Sequence, residues 1–160
     1  MELRNLIKKV ISEALGVPNN LYETSVELYE KILPELKDID RSSLDSENTY
    51  VLSLYDKFRI ADFYFNKIVV EIRFYFSKEI QKPLLFGYSV NQQTEQTSNL
   101  KYKIIKSQDI NLSILLAIPE NYDFDELTNF FISEKKELIQ SFSHELKHAY
   151  DSYKEIYDNP

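Results

Sequence analysis

Residues 133–157 read SEKKELIQSFSHELKHAYDSYKEIY, and the organisation of the rest of the chain can be worked out from this stretch. It contains neither Pro nor Gly, and Ser133 is a suitable N-cap for a helix. Apolar residues recur at steps of three and four, which is the period of an amphipathic helix. They are Leu138, Ile139, Phe142, Leu146, Ala149, Tyr150, Tyr153, Ile156 and Tyr157. The pattern predicts one long helix with a single apolar face.

The only two histidines of the chain lie in this stretch, in the order His144-Glu145-Leu146-Lys147-His148. Residues four apart lie one turn apart on the same helix face, so both imidazoles can bind one metal ion. Glu145 is rotated by about 100° from His144. Its carboxylate therefore lies beside the ion, where it can accept a proton from a metal-bound water. We predict His144 and His148 as metal ligands and Glu145 as the catalytic base.

These five residues form the H-E-x-x-H pattern, and the chain here resembles the zincin-type metallopeptidases. The wider string SHELKHAYD, residues 143–151, is similar to the active-site helix of small peptidases predicted in bacteria and bacteriophages. The resemblance implies a Zn²⁺ cofactor, a peptide or protein substrate and hydrolysis by a metal-activated water. It also implies a site helix packed on a twisted sheet, with the substrate extended along an edge strand. Residues 111–118 are the candidate for that edge.

A third zinc ligand is expected, because catalytic zinc usually has three protein ligands and a water. The resemblance implies that it lies downstream, where Asp151, Glu155 and Asp158 are candidates, or beyond Pro160 in a longer protein. On a continuous helix Asp151 is about 10 Å from His144 along the axis. It is better placed to accept a hydrogen bond from His148. The alternative function is a non-enzymatic bacteriophage virion or assembly protein with a vestigial site on a zincin-like scaffold.

The remainder of the chain predicts an α+β fold in one domain, residues 1–160, with helices on one face of an antiparallel sheet. Two N-terminal helices are expected, at 2–15 and from about Asn20 to Pro34, and a short helix or turn at 123–132. Alternating apolar and polar residues then predict strands, with a loop at 92–99. The predicted strands are 49–55, 58–65, 67–76, 84–91, 100–106 and 111–118.

Composition narrows the classes of partner. There is no Cys for a disulfide or a thiolate metal site, and residues 1–16 lack the apolar core of a signal peptide. No apolar run has the length of a membrane span. The net charge of −7 argues against nucleic acid as the main partner. We therefore expect no membrane or nucleic-acid partner. The expected location is the bacterial cytoplasm or a virion, where the chain can join a larger complex.

Overall fold

The computed structural model describes residues 3–4, 6–7, 20–60, 63–96 and 105–158. Within these ranges, side chains are described for 3–4, 6–7, 20–60, 64–65, 67–85 and 110–151. The predicted helix at 2–15 lies mostly outside them. Its four described residues are helical. None of the helices in these ranges is both long and apolar enough to cross a membrane.

The elements follow one another as helix, four strands and two further helices. Helix α1 is Leu21–Ile32, and it tightens into a 3-10 helix, Leu33–Asp38, where Pro34 lies. A further 3-10 turn, Arg41–Ser43, precedes the sheet. The strands are β1 Thr49–Ile60, β2 Phe63–Ser77, β3 Leu84–Gln96 and β4 Ile105–Pro119. A 3-10 turn, Phe124–Glu126, then leads into α2, Leu127–Ser133, and α3, Lys135–Asp158. The predicted α+β class is confirmed.

The strand order of the described sheet is β1-β2-β4-β3. Residues 78–83 carry the chain from β2 to the outer position of β3, and β4 returns between them. Strand β4 is therefore parallel to β2 and antiparallel to β3. The prediction of an entirely antiparallel sheet is wrong, and so is the assignment of 111–118 to an edge. These residues form the central part of β4, with Leu112, Ile114 and Leu116 buried.

The strand boundaries differ from the predicted ones in three places. A bulge between Tyr55 and Phe58 lets β1 continue to Ile60, so β2 begins at Phe63 and not near Asn66. The described part of β4 is one strand where two were expected. Strand β3 continues to Gln96, through residues predicted as a loop. Gln92 and Gln93 pair there with Ile110 and Asp109, because backbone pairing holds a strand even where its side chains are polar.

The helices cover one face of the sheet. Helix α1 contacts β1, α3 contacts β3, and the two helices contact each other. Helix α3 buries Leu138, Ile139, Phe142, Leu146 and Ala149 in the common core. This confirms the predicted apolar face at Phe142 and Ala149, while the side chain of Tyr153 lies outside the described set.

The start of α3 differs from the prediction. Ser133 ends α2, and its hydroxyl donates a hydrogen bond to the Phe130 carbonyl at 2.8 Å. It is therefore not the N-cap of α3, which begins at Lys135 after a turn at Glu134. The predicted short helix before it is present as the 3-10 turn and α2.

Candidate metal site

Helix α3 brings the two histidines together as their spacing predicts. The Nε2 atoms of His144 and His148 lie 3.0 Å apart. The ring centroids are separated by 4.5 Å, and the ring planes are nearly perpendicular, at 88°. Both side chains are exposed, so an ion can reach them from solvent.

The histidine pair fits a tetrahedral metal ion. With zinc–nitrogen bonds of about 2.0–2.1 Å and a tetrahedral angle, two ligand nitrogens lie about 3.3 Å apart. The observed Nε2 separation of 3.0 Å differs from this by a few tenths of an ångström. Small rotations of the side chains are enough to bring both imidazoles onto one ion. The Nε2 atoms are the ligands that this geometry favours.

Glu145 lies between the histidines and the buried face of α3. At about 100° per residue it is rotated by roughly 60° from the buried Phe142. Its side chain is half-buried, whereas those of His144 and His148 are exposed. A carboxylate in this position is beside an ion held by the two histidines, and its partial enclosure limits competition from solvent.

The surrounding elements define the direction in which the site faces. Ser143 contacts Ser25 of α1, so this side of α3 is covered by the first helix. Glu145 and His148 are rotated by about 160° and 140° from Ser143, on the opposite flank of the helix. Helix α1 lies over β1 and α3 over β3, and these two strands are the opposite edges of the described sheet. The flank that carries Glu145 and His148 therefore faces the β3 edge of the sheet.

Among the described side chains, no third ligand joins the two histidines. Helix α3 is continuous to Asp158, so Glu155, seven residues after His148, is about 10 Å further along the axis. The side chains of Glu155 and Asp158 lie outside the described set. Among side chains within it, no group of three His, Cys, Asp or Glu forms a metal site.

Asp151 has a different partner from the one predicted. Its carboxylate accepts from the Lys147 ammonium at 2.8 Å, an ion pair between residues one turn apart. The sequence predicted a hydrogen bond with His148 instead. Lys147 precedes Asp151 by four residues, the spacing at which opposite charges on a helix face pair.

The structure also places Ser25 and Ser143 close to the site. The sequence did not predict these two residues. They belong to elements 118 residues apart, and no local pattern connects them. Comparison of the chain with protein-family models, with curated proteins and with solved structures finds no match.

Proposed function

We propose that the chain is a zinc-dependent metallopeptidase in which His144 and His148 bind the ion and Glu145 is the general base. The observation that carries the proposal is the 3.0 Å separation of the two Nε2 atoms, with Glu145 beside them on the same helix. This combination supplies two neutral nitrogen ligands and one adjacent carboxylate, the groups that metal-assisted hydrolysis requires.

When bound, zinc lowers the pKa of a coordinated water to about 7 and polarises the substrate carbonyl. The chain's own residues handle the protons. The Glu145 carboxylate accepts a proton during attack on the peptide carbonyl and returns it to the departing amine. The 3.0 Å hydrogen bond between the two Nε2 atoms would give way when both nitrogens bind the ion.

A peptide substrate has a natural place along β3. This strand is outermost in the described sheet and lies under α3. An extended peptide can add to such an edge through backbone hydrogen bonds, which hold it whatever its side chains are. A peptide bound there passes beside the flank of α3 that carries Glu145 and His148. Because this binding mode does not depend on the side chains of the ligand, it supports peptides or unfolded protein segments as the substrate class.

A non-enzymatic role in a virion or another assembly is the second candidate. The observation that favours it is the engagement of Asp151 by Lys147, at 2.8 Å, in place of any contact with the histidines. The described side chains thus supply two metal ligands, where catalytic zinc sites usually have three. In this role the chain hydrolyses nothing, and assembly does not depend on the Glu145 carboxylate.

The deciding experiment compares wild type, Glu145→Gln and Glu137→Gln on a mixed peptide pool with one equivalent of Zn²⁺. Gln keeps the shape of Glu but cannot accept the proton. We expect Glu145→Gln to retain zinc and to lose hydrolysis by roughly 10²–10⁴-fold, the usual share of general acid–base catalysis. Glu137→Gln makes the same charge change at an exposed position of α3 and should leave the rate unchanged.

Zinc content measured on the same samples identifies the ligands. His144→Ala and His148→Ala should each lose the ion, because one imidazole cannot chelate it alone. Equal hydrolysis by wild type and Glu145→Gln, or no hydrolysis by either with zinc bound, would refute the peptidase function and leave the assembly role. Unchanged zinc content in both histidine variants would place the metal elsewhere.

A further inference from the structure

A buried pair of serines connects the site helix to α1. The Ser143 hydroxyl donates to the Ser25 Oγ at 2.8 Å. Ser25 is completely buried, and Ser143, which is half-buried, immediately precedes the ligand His144. The contact therefore acts on α3 at the position where the metal site begins.

The direction of this hydrogen bond is determined by a second one. The Ser25 hydroxyl donates its only proton to the Leu21 carbonyl at 2.8 Å, within α1. Its oxygen then has lone pairs free to accept, and Ser143 is the donor that uses one. Ser143 is therefore the donor and Ser25 the acceptor in the bond between the helices, and this arrangement satisfies both hydroxyls.

Helix α1 is itself held on the sheet by polar contacts. The Asn20 side-chain amide donates to the Arg59 carbonyl of β1 at 2.7 Å, and the Thr24 hydroxyl donates to the same oxygen. Directional bonds thus run from β1 through α1 to α3. They tie the rotation of the site helix to the frame of the sheet.

The apolar packing of the two helices determines which face of α3 is buried, and a directional bond narrows its rotation further. Leu28 of α1 and Phe142 and Leu146 of α3 belong to one buried core. Burial of such side chains is favourable but non-directional, and it limits rotation of the helix through steric contacts. A hydrogen bond, in contrast, weakens steeply when its angle changes.

Rotation of α3 matters because the site would act on a substrate that lies outside the helix. The imidazole nitrogens lie about 6 Å from the helix axis, so a roll of 10° moves them by about 1 Å. Such a roll leaves the distance between the two histidines unchanged. It does change their position relative to β3 and to a substrate held there.

We propose that Ser25 and Ser143 are positioning residues, whose hydrogen bond sets the rotation of α3 and so aims the histidine pair and Glu145 at the β3 edge. The inference rests on the metal-binding part of the proposed function. It does not require that the chain hydrolyse peptides.

The test measures the direction of the histidine pair without using activity. Cu²⁺ bound by His144 and His148 serves as one spin label. Because the chain has no Cys, Ser53→Cys, at an exposed position of β1, accepts a single nitroxide as the other. Pulsed electron–electron double resonance then gives the distance distribution between α3 and the sheet. The variants are Ser143→Ala, Ser25→Ala, the double variant with both substitutions, Ser143→Thr and, as a control, Ser133→Ala, all in the Ser53→Cys background.

We expect Ser143→Ala and Ser25→Ala to shift or broaden the distribution by about 1 Å or more, as a 10° roll predicts. The Ser25→Ala/Ser143→Ala double variant should show no further change, because each single substitution already removes the same bond between the helices. Ser143→Thr keeps the hydroxyl and should restore the wild-type distribution. Ser133→Ala removes a hydroxyl that bonds only within α2 and should have no effect.

The variants should stay folded. Ser143→Ala leaves Ser25 bonded to Leu21, and alanine is the better helix former, so no buried proton is stranded. Identical distributions in the Ser53→Cys parent and its Ser143→Ala variant, with Cu²⁺ bound, would overturn the positioning role and leave the proposed function standing. Failure of the Ser53→Cys parent itself to bind Cu²⁺ would overturn both, because there would be no histidine site to aim.

Discussion

The side chain of Tyr122 carries a polar atom that the fold buries. Its hydroxyl is buried and has no hydrogen-bond partner among the described residues. The ring packs edge-on against Phe124, with centroids 5.6 Å apart. Burial, and then the carboxylates of Glu126 and Asp123, raise the pKa of this phenol to about 12. The folded state therefore holds the proton to higher pH than the unfolded chain does.

The Tyr122→Phe substitution tests how this one hydroxyl affects the free energy of unfolding. The unfolded phenol loses its proton near pH 10, while the folded one keeps it to about pH 12. Wild-type free energy of unfolding should thus fall as pH rises from about 10 to 12. The Phe variant should show a smaller fall. At pH 7 it should be as stable as wild type or more so, because an unpaired buried hydroxyl costs about 1–3 kcal/mol.

Urea unfolding at pH 7, 10 and 11.5 measures both effects. Tyr75→Phe is the control, since it removes the same hydroxyl from a side chain that is 67% exposed. A Tyr122→Phe protein that is less stable than wild type at pH 7 would show that the hydroxyl has a partner.

At the scale of elements, α3 carries two functions on two faces. One face holds the core through Phe142, Leu146 and Ala149, while the exposed surface presents His144 and His148. Glu145 lies at the boundary between them. Packing of the first face therefore determines on which side of the helix the histidines lie.

Phe142→Ala should destabilise the fold by about 3–5 kcal/mol, because Phe142 is 0% exposed and its removal leaves a cavity in the core. Tyr22→Ala, on α1 at 60% exposure, removes an aromatic side chain from the surface and should change stability by no more than about 0.5 kcal/mol. Denaturant melts of the two variants provide the comparison. Equal stability of Phe142→Ala and wild type would contradict the orientation of α3.

At the scale of the whole molecule, the sheet order separates protected from accessible strands. Strands β2 and β4 have a hydrogen-bonded neighbour on each side in the described sheet, whereas β1 and β3 have one. Backbone amides paired on central strands open only with large parts of the fold. Native-state hydrogen exchange should therefore be slowest in 68–74 and 110–116.

The edge strands provide the internal comparison for this measurement. Alternate amides of β3 point away from β4 and should exchange faster than amides in the central strands. In a simple antiparallel meander the order would reverse for the last two strands, with β3 inside and β4 at the edge. Slow exchange throughout β3 with fast exchange in 110–116 would thus exclude the observed topology.

Local sequence was sufficient for the features that depend on neighbouring residues. The period of the apolar residues in 133–157 determined the existence of α3 and the buried positions of Phe142 and Ala149. The spacing of His144 and His148 determined their proximity, because a helix relates residues four apart without help from the rest of the chain. The α+β class followed from the change of period between the helices and the strands.

Only the tertiary structure decided the relations between distant segments. Alternation of apolar residues marks 111–118 as a strand, but the same pattern suits an edge or a centre, and long-range pairing placed it between β2 and β3. The hydrogen bond of Ser143 with Ser25 joins positions 118 apart, which meet only because two helices pack on one sheet. Contacts of this kind arise from the cooperative burial of the core, and no window of local sequence contains both partners.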